Sequence, residues 1–168
     1  GDIIIGQHGT LIAINKRLSF KNFNLLAATI DFEKPIETAV IKSQDQKEKN
    51  EEFGRAASLA LFDYLRKSKA KGFVLSLSGG ADSSLCAVLV AEMVRRASDE
   101  LGWSNFCQAL NLEKLSNKEA AVGELLTCAY QGTVNSSETT LAAATQLAHS
   151  IGASFHQWKI DDEVKSYS

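Results

Sequence analysis

Apolar and polar positions along this chain change their period twice, and the changes divide it. Residues 1–32 carry short apolar clusters, Ile3–Ile5, Leu11–Ile14 and Leu25–Phe32, separated by glycine-containing or charged turns. That pattern predicts three short strands. Residues 33–49 lose periodicity: the single proline, Pro35, is followed by the run "KSQDQKEKN", polar and charged as a linker is. Helical spacing then takes over. Asn50 is placed to cap a helix, with Glu51 and Glu52 in its first turn, where negative charge suits the exposed amides. Phe53, Ala56, Ala57, Ala60, Leu61, Tyr64 and Leu65 form its predicted buried stripe. Lys67, Lys69 and Lys71 gather at its far end, as helix C-termini favour, and Gly72 is expected to stop it.

The next stretch, "GFVLSLSGGADSS" (72–84), compresses a strand, a tight turn and a helix start into thirteen residues. The helix is expected from Ser83 to about Leu101, ended by Gly102. Residues 103–124 show little pattern; Ser116 is expected to cap a short helix, and Trp103 and Phe106 to form a small satellite core of an insertion. "LLTCAY" (125–130) predicts a second strand, and Ser136 or Ser137 a cap for a helix running through His149 to Gly152. "ASFHQWKI" (153–160) predicts a third strand. The order β-α-β-α-β with long crossovers requires parallel strands and right-handed connections, hence an α/β fold. Ligands of such sheets sit beyond the carboxyl ends of the strands, where Ser78–Ser83 and Gly132–Ser137 both fall.

Composition excludes several classes. With 45% hydrophobic and 23% charged residues, the 168-residue chain is ordinary for a globular protein. A net charge of −2 leaves no electrostatic footprint for nucleic acid or an anionic membrane. No apolar run approaches the roughly 18 residues that a membrane span needs, and no secretory signal opens the chain. Cys86, Cys107 and Cys128 are odd in number and make no CxxC pair, which suits reduced thiols and a cytoplasmic location.

The chemistry concentrates at the glycine turn. Gly79 and Gly80 permit close approach to bare backbone, and the helix start that follows leaves amides without partners under a positive macrodipole. An anion is therefore favoured there, with Ser78, Ser83 and Ser84 as further donors. The turn lacks the Lys of GxxxxGK[ST] and carries a carboxylate, Asp82, instead. Beside a polyphosphate that carboxylate implies an intervening hard cation, Mg²⁺. The plainer reading is that Asp82 or Ser83 caps a helix after a glycine turn. His8, His149 and His156 supply no general base, and Asp161 and Asp162 are either a solvated chain end or metal ligands.

"SGGADS" (Ser78–Ser83) resembles the SGGxDS signature of the ATP pyrophosphatases. "LLTCAYQGTVNSSETTLAAATQLAHSIG" resembles the second strand, turn and helix of NAD synthetases, above all the glutamine-dependent form. It matches in "TC", "NSS" and Thr140, and departs in the one-residue shift of Tyr130-Gln131 and in Ala142 and Ala143 where longer members carry Arg. "GTLIAINKRLSF…LLAATIDFE" resembles the closing strands of a nitrilase-like amidase domain, whose nucleophilic cysteine is not among the three present.

The resemblance implies a parallel sheet of the adenine-nucleotide alpha-hydrolase (Rossmann-like) type. It divides the chain into the end of an α+β nitrilase-like glutaminase domain (1–34), a linker (35–49) and the N-terminal part of a synthetase domain (50–168). The chain is then a fragment of a homo-oligomeric enzyme that uses ATP and Mg²⁺. ATP adenylates deamido-NAD, and ammonia, free or from glutamine, displaces AMP to give NAD⁺. Ser78 is assigned to the reacting phosphate, with Gly79, Gly80 and Ser83 on the leaving pyrophosphate. Asp82 is assigned to the metal, Ala81 to a backbone contact, and Ser76 and Leu77 to the nucleotide-lining strand end. Tyr130 either flanks adenine with Leu77 or packs within the sheet. Two other readings share the scaffold: a non-catalytic AMP or ATP sensor, and another ATP-pyrophosphatase amidotransferase.

Overall fold

A computed structural model describes residues 3–33, 46–161 and 166. The chain opens on an antiparallel hairpin, β1 (Ile4–Gln7) and β2 (Thr10–Ile14). His8 and Gly9 turn it with φ of 48° and 78°, the positive pair that a type I′ hairpin turn needs. Leu25–Phe32, expected as a third strand, is irregular chain without a ladder; Leu25 and Phe32 are exposed. Strand composition alone does not make a strand, which needs a neighbour to take its backbone hydrogen bonds.

Helix α1 (Gln46–Ser68) begins before its expected start. Asn50 is inside it, and Gln46–Lys49, assigned to the linker, are helical; the rest of the linker, with Pro35, lies outside the described residues. The helix ends at Ser68, with Lys69 at a φ of 60°, and not at Gly72. Gly72 has another duty: a Cβ there would come within 2.6 Å of the Leu125 carbonyl oxygen. The expected stripe holds in part: Leu65 is buried and Leu61 packs against the core. The buried residues of α1 are Ser58, Phe62 and Leu65, while Phe53, Ala60 and Tyr64 are exposed. Tyr64 lies over Phe73 at 6.0 Å between ring centroids, on the flank of the core.

A parallel sheet follows, in the order β3 (Phe73–Ser76), β4 (Leu126–Gly132), β5 (Ser154–Lys159). Helix α2 (Ala81–Leu101) connects β3 towards β4 through α3 (Trp103–Leu110) and α4 (Lys118–Leu125), and α5 (Glu138–Ile151) connects β4 to β5. The register places Phe73 beside Leu126 and Ser76 beside Ala129, then Ala129 beside His156. One face of the sheet builds the core. Leu77, Leu126 and Cys128 are buried there with Met93 and Val94 of α2, each large apolar side chain contributing roughly 1.5–3 kcal/mol. On the opposite face Val74 is 82% exposed, and Ser76, His156 and Trp158 are exposed too. Parallel sheets are ordinarily covered on both faces.

The stretch 103–124 contains two helices where one was expected. Asn111, in a left-handed conformation (φ 57°), closes α3. Asn117, not Ser116, caps α4 by accepting from the Ala120 amide at 2.8 Å. Phe106 belongs to the main core and not to a satellite of it. It stacks on Phe62 at 6.3 Å, and Phe62 meets Phe20 edge-on at 5.6 Å.

Glu100, near the end of α2, joins the N-terminal segment to the rest. Its carboxylate accepts from Lys16 Nζ (2.8 Å), Ser19 Oγ (2.6 Å), the Phe20 amide (2.9 Å) and Arg55 of α1. Burial would raise its pKa, but the hydrogen bonds from Lys16, Ser19 and Phe20 and the Arg55 charge outweigh it and hold the group at about 2. Nearby, Arg96 bridges Glu51 of α1 (2.9 Å) and Glu92 (2.8 Å), locking α1 against α2.

Candidate functional site

The sequence of β3 runs out of alternating apolar residues at Leu77, and the chain turns at Ser78-Gly79-Gly80 into α2. Gly79 has a φ of 81°, which a side chain resists, and Gly80 stands at the N-cap with extended backbone (φ −86°, ψ 167°). No side chain caps the helix. Asp82 and Ser83, either of which was a candidate cap, lie within its first turn. The amides of Ala81, Asp82 and Ser83 are thus the donors that a helix start leaves without intrahelical partners, and they lie on an open edge. Ser78, Gly80, Ala81 and Asp82 are exposed, Gly79 and Ser83 half-buried.

The serine hydroxyls brace this turn from inside. Ser83 Oγ donates to the Gly80 carbonyl (3.2 Å) and accepts from the Ser78 amide (3.3 Å). Its proton is thereby committed, so Ser78 Oγ is the donor in the 3.1 Å contact between the two hydroxyls. Ser84 Oγ also donates to the Gly80 carbonyl, at 2.7 Å. Ser78 Oγ also accepts from the Gly80 amide at 3.3 Å, so redirecting its proton with the oxygen in place exchanges one hydroxyl bond for a bond to an incoming oxyanion. Asp82 adds a carboxylate beside the free amides, and no group of three His, Cys, Asp or Glu side chains gathers among the described residues.

The other expected residues divide. Leu77, expected on the nucleotide-lining strand end, is fully buried, main chain included, and its amide is bonded to the Ala129 carbonyl at 2.8 Å; it packs within the sheet and offers no surface to a ligand. Ser76 is exposed and donates to Gln131 Oε1 at 3.1 Å. Tyr130 is 5% exposed and packs in the core, its hydroxyl 2.9 Å from Thr140 Oγ1. Asp161 accepts from the Val134 amide at 2.9 Å and braces the second loop, while Asp162 lies outside the described residues. Two of the cysteines, Cys107 and Cys128, are buried, and burial pushes both thiols up, away from the reactive thiolate.

The sequence did not reveal that the two loops touch. Gly79 lies against the main chain of Thr140, in the first turn of α5, with that residue's carbonyl carbon 3.0 Å from where a Cβ would stand. Ser137 caps α5 by accepting from the Thr140 amide at 3.2 Å. The pair of adjacent glycines was the available signal for a close neighbour; which residue it would be was not readable. A hollow of about 760 Å³ lies elsewhere, between Phe20–Leu25 and α1 and α3, and gathers no nucleophile with a base. Chemistry, not concavity, locates the site.

Three parallel strands with a glycine turn and an uncapped helix start at their carboxyl edge define a Rossmann-like α/β domain of the adenine-nucleotide alpha-hydrolase type. Within that class the chain belongs to the NAD synthase family, whose sequence model matches residues 54–168. It is 34% identical over 124 residues to the glutamine-dependent NAD(+) synthetase of Mus musculus, covering 69% of this chain and 17% of that protein. It is 38% identical over 117 residues to the enzyme of that name from Oryza sativa, covering 63% of this chain and 16% of the relative. Among solved structures, a glutamine-dependent NAD(+) synthetase from Cytophaga hutchinsonii superposes with a TM-score of 0.86 at 44% identity, covering 99% of this chain and 28% of that one. One from Acinetobacter baumannii, solved with ADP, shares the fold at a TM-score of 0.51 and 23% identity, covering 76% of this chain and 19% of its own. The chain therefore spans about a sixth of the length of these curated relatives.

Proposed function

We propose that this chain carries the ATP-activating edge of a glutamine-dependent NAD synthetase. In that reaction ATP converts the carboxylate of deamido-NAD into an adenylate, pyrophosphate leaves, and ammonia displaces AMP to form the amide of NAD⁺. The observation that carries the reading is the exposed, uncapped start of α2 at Gly80–Ser83, with Asp82 beside it.

Activation is needed because a carboxylate oxygen is a poor leaving group. The difficult part of the first step is the charge that builds on departing pyrophosphate, and amides fixed before the reaction stabilise it without reorganising. The amides of Ala81, Asp82 and Ser83 supply such donors, Gly79 and Gly80 keep the approach clear of side chains, and Ser78 offers a hydroxyl to the reacting phosphate. Ser76, exposed at the end of β3, borders the nucleotide along the strand end. Asp82 fits Mg²⁺: it is a hard oxygen donor, exposed, with water and phosphate oxygens free to complete an octahedral shell. Bound there, the ion would neutralise polyphosphate charge.

Residues 1–34 are read as the end of an upstream amidase that releases ammonia from glutamine. The support is that the match to the C. hutchinsonii structure covers 99% of the chain, N-terminal hairpin included. The remaining strands, the deamido-NAD pocket and the amidase centre belong, on this reading, to other parts of a longer homo-oligomeric protein. No described helix is long and apolar enough to cross a membrane, and the free cysteines accord with a reducing cytoplasm.

Exchange of labelled pyrophosphate into ATP by the full-length protein, in the presence of deamido-NAD, tests the assignment. Asp82→Asn is expected to abolish exchange, and exchange unchanged in that variant would remove the metal and leaving-group roles. Formation of NAD⁺ from deamido-NAD, ATP and ammonia separates a synthetase from a nucleotide sensor, which would bind ATP and form no product.

A further inference from the structure

The glycine turn rests on α5, whose body packs into the core through Ala144 and Ala148 and whose first turn is tied to the sheet by a short hydroxyl chain. Tyr130, in β4, is 5% exposed, so its phenolic proton needs a protein partner. Its hydroxyl lies 2.9 Å from Thr140 Oγ1. Thr140 Oγ1 donates to the Ser137 carbonyl (2.9 Å) and receives the Ser137 hydroxyl proton (3.2 Å). A threonine hydroxyl has one proton, and here a carbonyl holds it. Tyr130 is therefore the donor, and both lone pairs of Thr140 Oγ1 are occupied. The same threonine presents its main-chain carbonyl to Gly79, which adopts a φ of 81° against it.

One route thus runs from the middle of the sheet to the phosphate turn: Tyr130 hydroxyl, Thr140 side chain, Thr140 carbonyl, Gly79. We infer that Tyr130 and Thr140 are positioning residues for the nucleotide site: they set where the first turn of α5 stands, and so the orientation of the Gly79-Gly80 turn that aims the Ala81, Asp82 and Ser83 amides. Neither side chain touches the nucleotide on this account. The inference rests on the proposed use of the glycine turn for ATP, and it adds the device that preorganises that turn. Losing the hydroxyl lets the turn spend part of its time out of place, which weakens binding in proportion and leaves the chemistry of properly bound nucleotide unaltered.

The test uses the full-length protein and ATP with Mg²⁺ as the probe. Thr140→Val keeps the shape and removes the hydroxyl; Thr140→Ser keeps the hydroxyl; Tyr130→Phe removes only the donor. The expected result is an affinity about tenfold weaker for Thr140→Val, about fivefold weaker for Tyr130→Phe and within about twofold for Thr140→Ser, as the loss of one or two hydrogen bonds predicts. The KM for ATP should rise while kcat at saturating ATP is retained, with the double variant Tyr130→Phe/Thr140→Val less than additive because both act on one link. Thermal unfolding of each variant confirms that the fold persists, and Tyr130→Phe serves if Thr140→Val does not fold. Unchanged affinity in Tyr130→Phe and Thr140→Val would overturn the inference. So would a loss in Thr140→Ser as large as in Thr140→Val, or a fall in kcat at constant KM. If the unaltered protein itself fails to bind ATP, the functional reading fails first. If it binds and the hydroxyl-lacking variants bind as well, only the positioning role is lost.

Discussion

Gly79 and the Thr140 carbonyl stand so close that a Cβ built on Gly79 would overlap the carbonyl oxygen, joining the two loops at the carboxyl edge into one surface. The contact lies between backbone and backbone, with no flexible side chain to yield. Gly79→Ala therefore meets two obstacles, the φ of 81° and the occupied space. It should cost on the order of 2 kcal/mol or more, read by denaturant unfolding. Gly80→Ala should cost about 1 kcal/mol or less, because Gly80 has an ordinary φ of −86° and its nearest neighbour is Ser78 Oγ at 3.4 Å.

Glu100 makes stability depend on acid. Its folded pKa, about 2, lies below the usual 4.5, so the carboxylate contributes fully above pH 4.5 and loses that contribution as pH falls through about 2. The side chain is only 8% exposed, and the linked stabilisation is on the order of 3 kcal/mol. Glu100→Gln should remove most of it at pH 7 and flatten the dependence between pH 4.5 and 2, measured as unfolding free energy against pH.

Phe62 is 1% exposed and in ring contact with both Phe20 and Phe106. Phe62→Ala should destabilise by about 3–5 kcal/mol. It should also loosen the Ser19–Lys21 segment, seen as faster hydrogen exchange at the Phe20 amide than at the amides of β4.

Ser58 is fully buried, and its hydroxyl has no hydrogen-bond partner. Ser58→Ala removes an unsatisfied polar atom and raises helix propensity. Stability should be unchanged or up by as much as about 1 kcal/mol, checked by the unfolding midpoint.

The relation between sequence and fold is uneven, and the unevenness has a cause. Ser137 and Gly152 were legible as the ends of α5 because capping is local chemistry: a hydroxyl accepting from the third amide on, and a left-handed glycine (φ 77°). Gly102, also at positive φ, closes α2 where expected. By contrast, the stripe on α1 is only partly as expected: Leu65 is buried and Leu61 packs on the core, but Phe53, Ala60 and Tyr64 are exposed, because apolar residues cover a wide arc of that helix and only the position of α2 and Phe106 decides which part is buried. Leu25–Phe32 failed as a strand for the same kind of reason, since pairing depends on a partner that composition does not contain.

At the candidate site, sequence alone determined the glycine turn, the acidic residue just after it and its place between a strand and a helix, because paired glycines and the change of apolar period on either side are local signals. Tertiary structure alone decided that Thr140 lies under Gly79, that Tyr130 is an internal donor and that Asp161 braces Val134. Those contacts join residues on separate strands and helices, and their distances follow from the parallel register of β3, β4 and β5, which is set by long-range packing and not by any local preference.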